Sequence, residues 1–126
     1  MTCNGQTLRV LVIEDEPLIT MEIESVIDSL GHQIVGPFAH INEASAAAKK
    51  TDFDCAILDV NIRGGNTYEI ADLLIERSCP FVIASGYSDW SIPDHLLVRK
   101  RLTKPYGSTQ LVAELRLLES EVMARY

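Results

Sequence analysis

Basic residues are in short supply: 11 Lys and Arg stand against 18 Asp and Glu, a formal charge of −7. Nucleic-acid binding needs a basic footprint, so this balance argues against that class of partner. The one basic cluster, Arg99-Lys100-Arg101 followed by Lys104, is short and reads as a solvated patch. Cysteine is scarce too. Cys3, Cys55 and Cys79 are odd in number and show no CxxC spacing, so reduced thiols are expected, with Cys55 as a small core residue. No apolar run reaches the roughly 18 residues of a bilayer span, and no basic start leads into an apolar stretch as a signal peptide would. A cytoplasmic location without a membrane partner is the expectation. His32, His40 and His95 are scattered without metal-ligand spacing, which argues against zinc. There is no internal repeat, low-complexity tract or Pro/Gly/Ser-rich linker.

What the chain does have is the makings of one core. It has 126 residues, 47% apolar and 23% charged, which predicts a single domain over 1–126. Strand-like and helix-like patterns alternate along it. Leu8 to Ile13 predicts a first strand, and Pro17 suits the first turn of a helix whose apolar face is Ile19, Ile23, Val26, Ile27 and Leu30, ended by Gly31. Gln33 to Gly36 is a weak second strand bounded by Gly36-Pro37. Ile41, Ala44 and Ala48 mark a short helix. Cys55 to Leu58 is apolar throughout, as a strand covered on both faces should be. A third helix is predicted from Tyr68 to Arg77, a fourth strand from Pro80 to Ala84, and a fifth around Leu102. Leu111, Leu115, Leu118 and Val122 face the last helix inward. Pro93 interrupts the stretch before the fifth strand, which predicts a brief or irregular fourth helix. The fold class is therefore α/β: a doubly wound (βα)5 five-stranded parallel sheet with helices on both faces.

Ligands in such sheets bind beyond the carboxyl ends of the strands, where the strand order reverses. Four of the five predicted strands deliver a polar group there. Glu14-Asp15-Glu16 follow the first, Asp59 the third with Asn61 two residues on, Ser85 the fourth with Gly86 and Tyr87, and Lys104-Pro105 the fifth. Each alone is an ordinary loop residue, since Asp and Asn are common after strands. In combination and in this order they mark a site. Glu14, Asp15 and Asp59 crowded together repel one another unless a cation is present, and Mg²⁺, a hard ion with oxygen ligands at about 2.0–2.1 Å, suits them.

These residues carry a family resemblance over nearly the whole chain. LRVLVIEDEP near the start, AILDVNI in the middle, VIASGYS later and RLTKPY before the last helix together resemble a response-regulator receiver domain of bacterial two-component signalling, a flavodoxin-like fold. PFVIASGY further resembles the PFxFATGY signature of a receiver subgroup with many stand-alone members, departing from it at Ile83 and Ser85.

The resemblance implies that Asp59 is the phosphoacceptor, attacking a phosphoryl group on a histidine of a sensor histidine kinase or a histidine phosphotransfer protein. It implies that Asp15 and Asp59 bind Mg²⁺ directly, that the backbone carbonyl of Asn61 completes the protein ligands, and that Glu14 helps through water; Mn²⁺ or Ca²⁺ can substitute. Glu16 is expected to face solvent. Lys104 and Ser85 supply a cation and a hydroxyl donor to the phosphoryl oxygens, which fits a reaction that needs mostly positioning and charge neutralisation. Before phosphorylation Lys104 is expected to pair with Asp59, and the Lys104-Pro105 bond to be cis.

Phosphorylation is expected to switch binding to a downstream protein. The aromatic that turns inward in the family, three positions before the lysine, is Arg101 here, which leaves Tyr87 and Tyr106 as the possible substitutes. Tyr87 and Asn61 flank the path of water to the aspartyl phosphate, and Tyr87 could shield it. Residues about 87 to 98 are the expected mobile element. The chain is expected to catalyse only its own phosphorylation and dephosphorylation, and so not to be an enzyme in the ordinary sense. Two other readings compete. One is a receiver-fold binding module without phosphorylation; the intact set of Asp15, Asp59, Ser85 and Lys104 argues against it. The other is a hydrolase of the haloacid-dehalogenase type, but its DxDxT motif follows the first strand, and Asp59-Val60-Asn61 lacks the second acid.

Overall fold

The computed structural model describes residues 7–86, 92–97 and 101–124. Seven strands and five helices follow in the order β1 (Arg9–Ile13), α1 (Pro17–Ser29), β2 (Gln33–Phe38), α2 (Ile41–Lys50), β3 (Cys55–Asp59), β4 (Asn61–Ile62), β5 (Gly65–Asn66), α3 (Tyr68–Glu76), β6 (Phe81–Ser85), α4 (Asp94–Leu97), β7 (Arg101–Thr103) and α5 (Ser108–Met123). Five of the strands form one sheet in the order β2-β1-β3-β6-β7, and every pairing in it is parallel. This is the doubly wound five-stranded parallel architecture expected from the sequence. The order reverses between β1 and β3, which opens a crevice beyond their carboxyl ends.

Side chains alternate across the strands and so build two cores. On one face Leu11, Ile13, Ala56, Leu58 and Ile83 meet Ala44, Ala47 and Ala48 of α2, Ile70 and Leu74 of α3, and Leu96 of α4. The alanines let α2 lie close to the sheet. On the other face Val10, Val12, Ile57, Val82 and Leu102 meet Ile23, Val26 and Ile27 of α1 and Leu111, Leu115, Leu118 and Val122 of α5. β3 and β6 are buried at every position. Cys55 and Cys79 are buried, and burial pushes the Cys55 thiol far above its ordinary range, as a core residue requires. Among the described residues no helix is long and apolar enough to cross a membrane.

The sequence reading needs two corrections. β2 does not stop at Gly36 but runs to Phe38, with a shift of register between Leu11 and Ile13. Gly36 has φ +113, and a Cβ there would stand 2.8 Å from the Val12 carbonyl oxygen, so glycine is required where the strand bulges. Pro37 is tolerated because β2 is an edge strand. The residues after Asp59 form an antiparallel ribbon, β4 with β5, turning at Arg63-Gly64. The fourth helix is brief, as expected: α4 is a single four-residue turn, with Ile92 and Leu96 buried in the core at 5% and 1% exposure; of the expected mobile stretch, residues 87–91 and 98 lie outside the described residues. Tyr87 lies outside the described residues.

Candidate functional site

Each strand end brings its residue to the crevice. Glu14 follows β1 directly and is 2% exposed. Its Oε2 accepts the N–H groups of Asp15 at 3.0 Å and Glu16 at 3.2 Å, so the carboxylate folds back over the loop that enters α1. Asp15 is partly exposed at the mouth. Asp59 closes β3 at 6% exposure, and its Oδ1 accepts the Asn61 N–H at 3.4 Å. Ser85 closes β6 and is buried; its carbonyl accepts the Lys104 N–H at 2.8 Å, which ties the lysine's backbone to the neighbouring strand end. The Lys104-Pro105 bond is cis, as is Gly36-Pro37.

Lys104 Nζ sits among the acids, 2.9 Å from Asp59 Oδ2, 3.1 Å from Glu14 Oε1 and 3.5 Å from Glu16 Oε1. The approach to Glu14 Oε1 lacks hydrogen-bond geometry, so that buried oxygen has no hydrogen-bond partner. Burial works against the lysine's charge, but Asp59 and Glu14 outweigh it and hold the ammonium charged well above the ordinary range. Glu16 is exposed, as expected, with its carboxylate at the outer edge of this contact.

Glu14, Asp15 and Asp59 each offer an oxygen within 4.8 Å of the others, and among the described residues theirs is the one group of acid, His or Cys side chains so arranged. Hard oxygen donors, one orphaned buried oxygen and one partly exposed acid fit a small divalent cation. Without one, Glu14 is pushed up to about 7, first by burial and then by the facing Asp59 carboxylate, with Lys104 opposing. An acid whose folded value lies above its ordinary 4.5 contributes stability that is complete below about pH 4.5 and is lost as pH rises through about 7. In chelator, the urea midpoint is therefore expected to fall between pH 5 and pH 8, and Glu14→Gln to remove most of that fall. An equal slope in the variant would assign it to other groups.

Other expected residues lie elsewhere. Arg101 is exposed on β7 and does not occupy an interior slot. Tyr106 is half-buried against the α1–α5 core, its hydroxyl buried without a hydrogen-bond partner and its ionisation pushed up by burial and by Glu14. Sequence reasoning missed Thr67, a buried threonine whose hydroxyl donates to the main-chain carbonyl of Asp59 at 2.6 Å. The only sequence signal for it is a hydroxyl residue just before α3, which reads as an ordinary cap.

The histidines sit apart from the crevice. His32 is buried between the Leu8 N–H and Glu119, His40 Nδ1 accepts the Asn42 N–H, and His95 pairs with Asp72.

The sequence profile of the response regulator receiver domain matches residues 10–116. The phyllosphere-induced regulator PhyR of Methylorubrum extorquens is 31% identical over 113 residues, which are 82% of this chain and 40% of PhyR. The chain thus spans less than half the length of that curated relative. The solution structure of SdrG from Sphingomonas melonis Fr1 is 36% identical and superposes with a TM-score of 0.78, covering 89% of this chain and 96% of SdrG. The receiver domain of sensor histidine kinase PA1611 from Pseudomonas aeruginosa, solved with magnesium in its active-site cleft, is 20% identical with a TM-score of 0.73 over 93% and 98% of the two chains, a likeness of fold. With the crevice at the β1/β3 reversal and a profile match over most of the chain, the protein belongs to the response regulator receiver domain family of two-component systems.

Proposed function

We propose that Asp59 accepts a phosphoryl group from a phosphohistidine of a sensor histidine kinase or a histidine phosphotransfer protein, and that the resulting aspartyl phosphate switches binding to a downstream protein. The observation that carries this reading is the buried Asp59 carboxylate, 2.9 Å from Lys104 and grouped with Glu14 and Asp15. An Asp59 oxygen forms a bond to phosphorus as the P–N bond breaks, the imidazole nitrogen keeping the electron pair and taking a proton. Hydrolysis later returns the carboxylate and inorganic phosphate. Lys104 follows the charge from Asp59 to the phosphoryl oxygens, and Ser85 at the neighbouring strand end donates its hydroxyl to them.

The donor set fits Mg²⁺, with Asp15, Asp59 and the Asn61 carbonyl as ligands and Glu14 acting through water; Mn²⁺ or Ca²⁺ can take its place. Bound there, the cation neutralises negative charge on the transferring group. Magnesium in the PA1611 cleft supports this assignment. Leu18 and Met21 on α1 are 81% and 63% exposed, and Leu18 lines a cavity of about 210 Å³ with Lys104 and Pro105, which supports docking of a partner protein beside the site. The chain works as a phosphate shuttle or protein-binding switch in the cytoplasm, and its catalysis is confined to its own Asp59.

The test is intact mass after incubation with a small acyl phosphate, with and without Mg²⁺, on wild type and Asp59→Asn. One added phosphoryl group that needs both Mg²⁺ and Asp59 is the expected result. No gain from that donor leads to purified phosphohistidine proteins, and no gain from those either overturns the reading in favour of a binding module.

A further inference from the structure

Thr67 stands at the entry to α3, 2% exposed, and its hydroxyl makes no capping bond to the helix. A threonine there ordinarily accepts an N–H of the first turn. This one points back toward the sheet. Its Oγ1 donates to the Asp59 carbonyl at 2.6 Å, with the Val60 carbonyl at 3.2 Å as the longer branch. The Thr67 N–H donates to the same Val60 carbonyl at 2.9 Å.

The Val60 carbonyl and the Asn61 N–H belong to one planar trans peptide, so they point in opposite directions. Pinning the carbonyl toward Thr67 turns the N–H the other way, onto Asp59 Oδ1 at 3.4 Å. Asp59 is then held at three points: its main-chain carbonyl by Thr67, Oδ1 by Asn61 and Oδ2 by Lys104.

We propose that Thr67 is a positioning residue for the phosphoacceptor: by holding the Asp59 and Val60 carbonyls, its hydroxyl sets the plane of the Val60–Asn61 peptide and hence the direction of the Asp59 carboxylate. This rests on the reading of Asp59 as the phosphoacceptor. When Lys104 turns to the phosphoryl oxygens, Oδ2 loses its partner while Oδ1 keeps the Asn61 N–H. The carboxylate therefore stays aimed during attack, and misaimed nucleophiles are slow.

Thr67→Val keeps the shape and the N–H but removes the hydroxyl; Thr67→Ser keeps the hydroxyl, and Thr67→Ala stands in should the valine variant not fold. Two quantities are read on each folded variant: the rate of mass gain from a small acyl phosphate with Mg²⁺, and the amide resonance and hydrogen exchange of Asn61 without it. Thr67→Val is expected to label about tenfold more slowly, to shift the Asn61 amide and to speed its exchange, with Thr67→Ser within about twofold of wild type. Wild-type labelling by Thr67→Val, equal slowing in Thr67→Ser, or an unmoved Asn61 amide overturns the proposal. Failure of wild type itself to label strikes the phosphoacceptor reading instead, and the Asn61 amide still decides whether Thr67 sets that peptide.

Discussion

Lys104→Gln is expected to slow phosphorylation of Asp59 by about two to three orders of magnitude, because it removes a preorganised cation from the place where charge develops. The metal-free protein is expected to lose about 2 kcal/mol at pH 8, where Glu14, Asp59 and Asp15 face one another without a counter-charge. That cost is below the usual figure for a broken buried pair because Glu14 can take up a proton. The loss is accordingly expected to shrink at pH 5, below the value of about 7 to which Glu14 is pushed. Added Mg²⁺ should restore most of the stability and little of the rate, since it repairs the repulsion but not the missing donor. Urea unfolding at the two pH values and intact-mass kinetics measure both. Labelling at the wild-type rate would mean that Lys104 serves the resting acids alone.

At the opposite end of the sheet, His32→Leu is expected to cost about 3 kcal/mol while leaving phosphorylation intact. His32 Nδ1 accepts the Leu8 N–H at 3.0 Å, so the neutral ring carries its proton on Nε2 and donates it to Glu119 Oε1 at 3.0 Å. Glu119 is 3% exposed and is also gripped by Arg116, at 2.9 Å and 3.0 Å. Leucine leaves the Leu8 N–H unmet and a buried carboxylate with one partner where it had two. A double-mutant cycle with Glu119→Met, which removes the accepting oxygen, should return a coupling of about 1–3 kcal/mol. Additive losses would show that ring packing, and not the hydrogen bond, accounts for the cost.

The site was legible in the sequence to the extent that its parts are local. Each of Glu14, Asp15, Asp59, Ser85 and Lys104 closes or follows an apolar run, and the rule that parallel sheets present their strand ends to ligands placed them together before any distance was known. The ribbon of β4 and β5 was not legible, because two-residue strands have no periodicity to read. Nor was the bulge at Gly36, which exists only against the Val12 carbonyl of the neighbouring strand.

The sequence by itself determined the alternation of buried strands and one-faced helices, the parallel sheet and the acidic edge with its lysine, since hydrophobic pattern and chain order suffice for these. Tertiary structure alone decided which acid lies deepest, and that it is Glu14, because loop N–H groups fold its carboxylate inward. It alone joined His32 to Glu119 across 87 positions and turned the Thr67 hydroxyl from the helix to Asp59. In both cases the partner is distant in sequence or is a backbone carbonyl, and neither leaves a mark on the order of side chains. Hydrogen-bond direction is settled by packing, and packing exists only once the chain has folded.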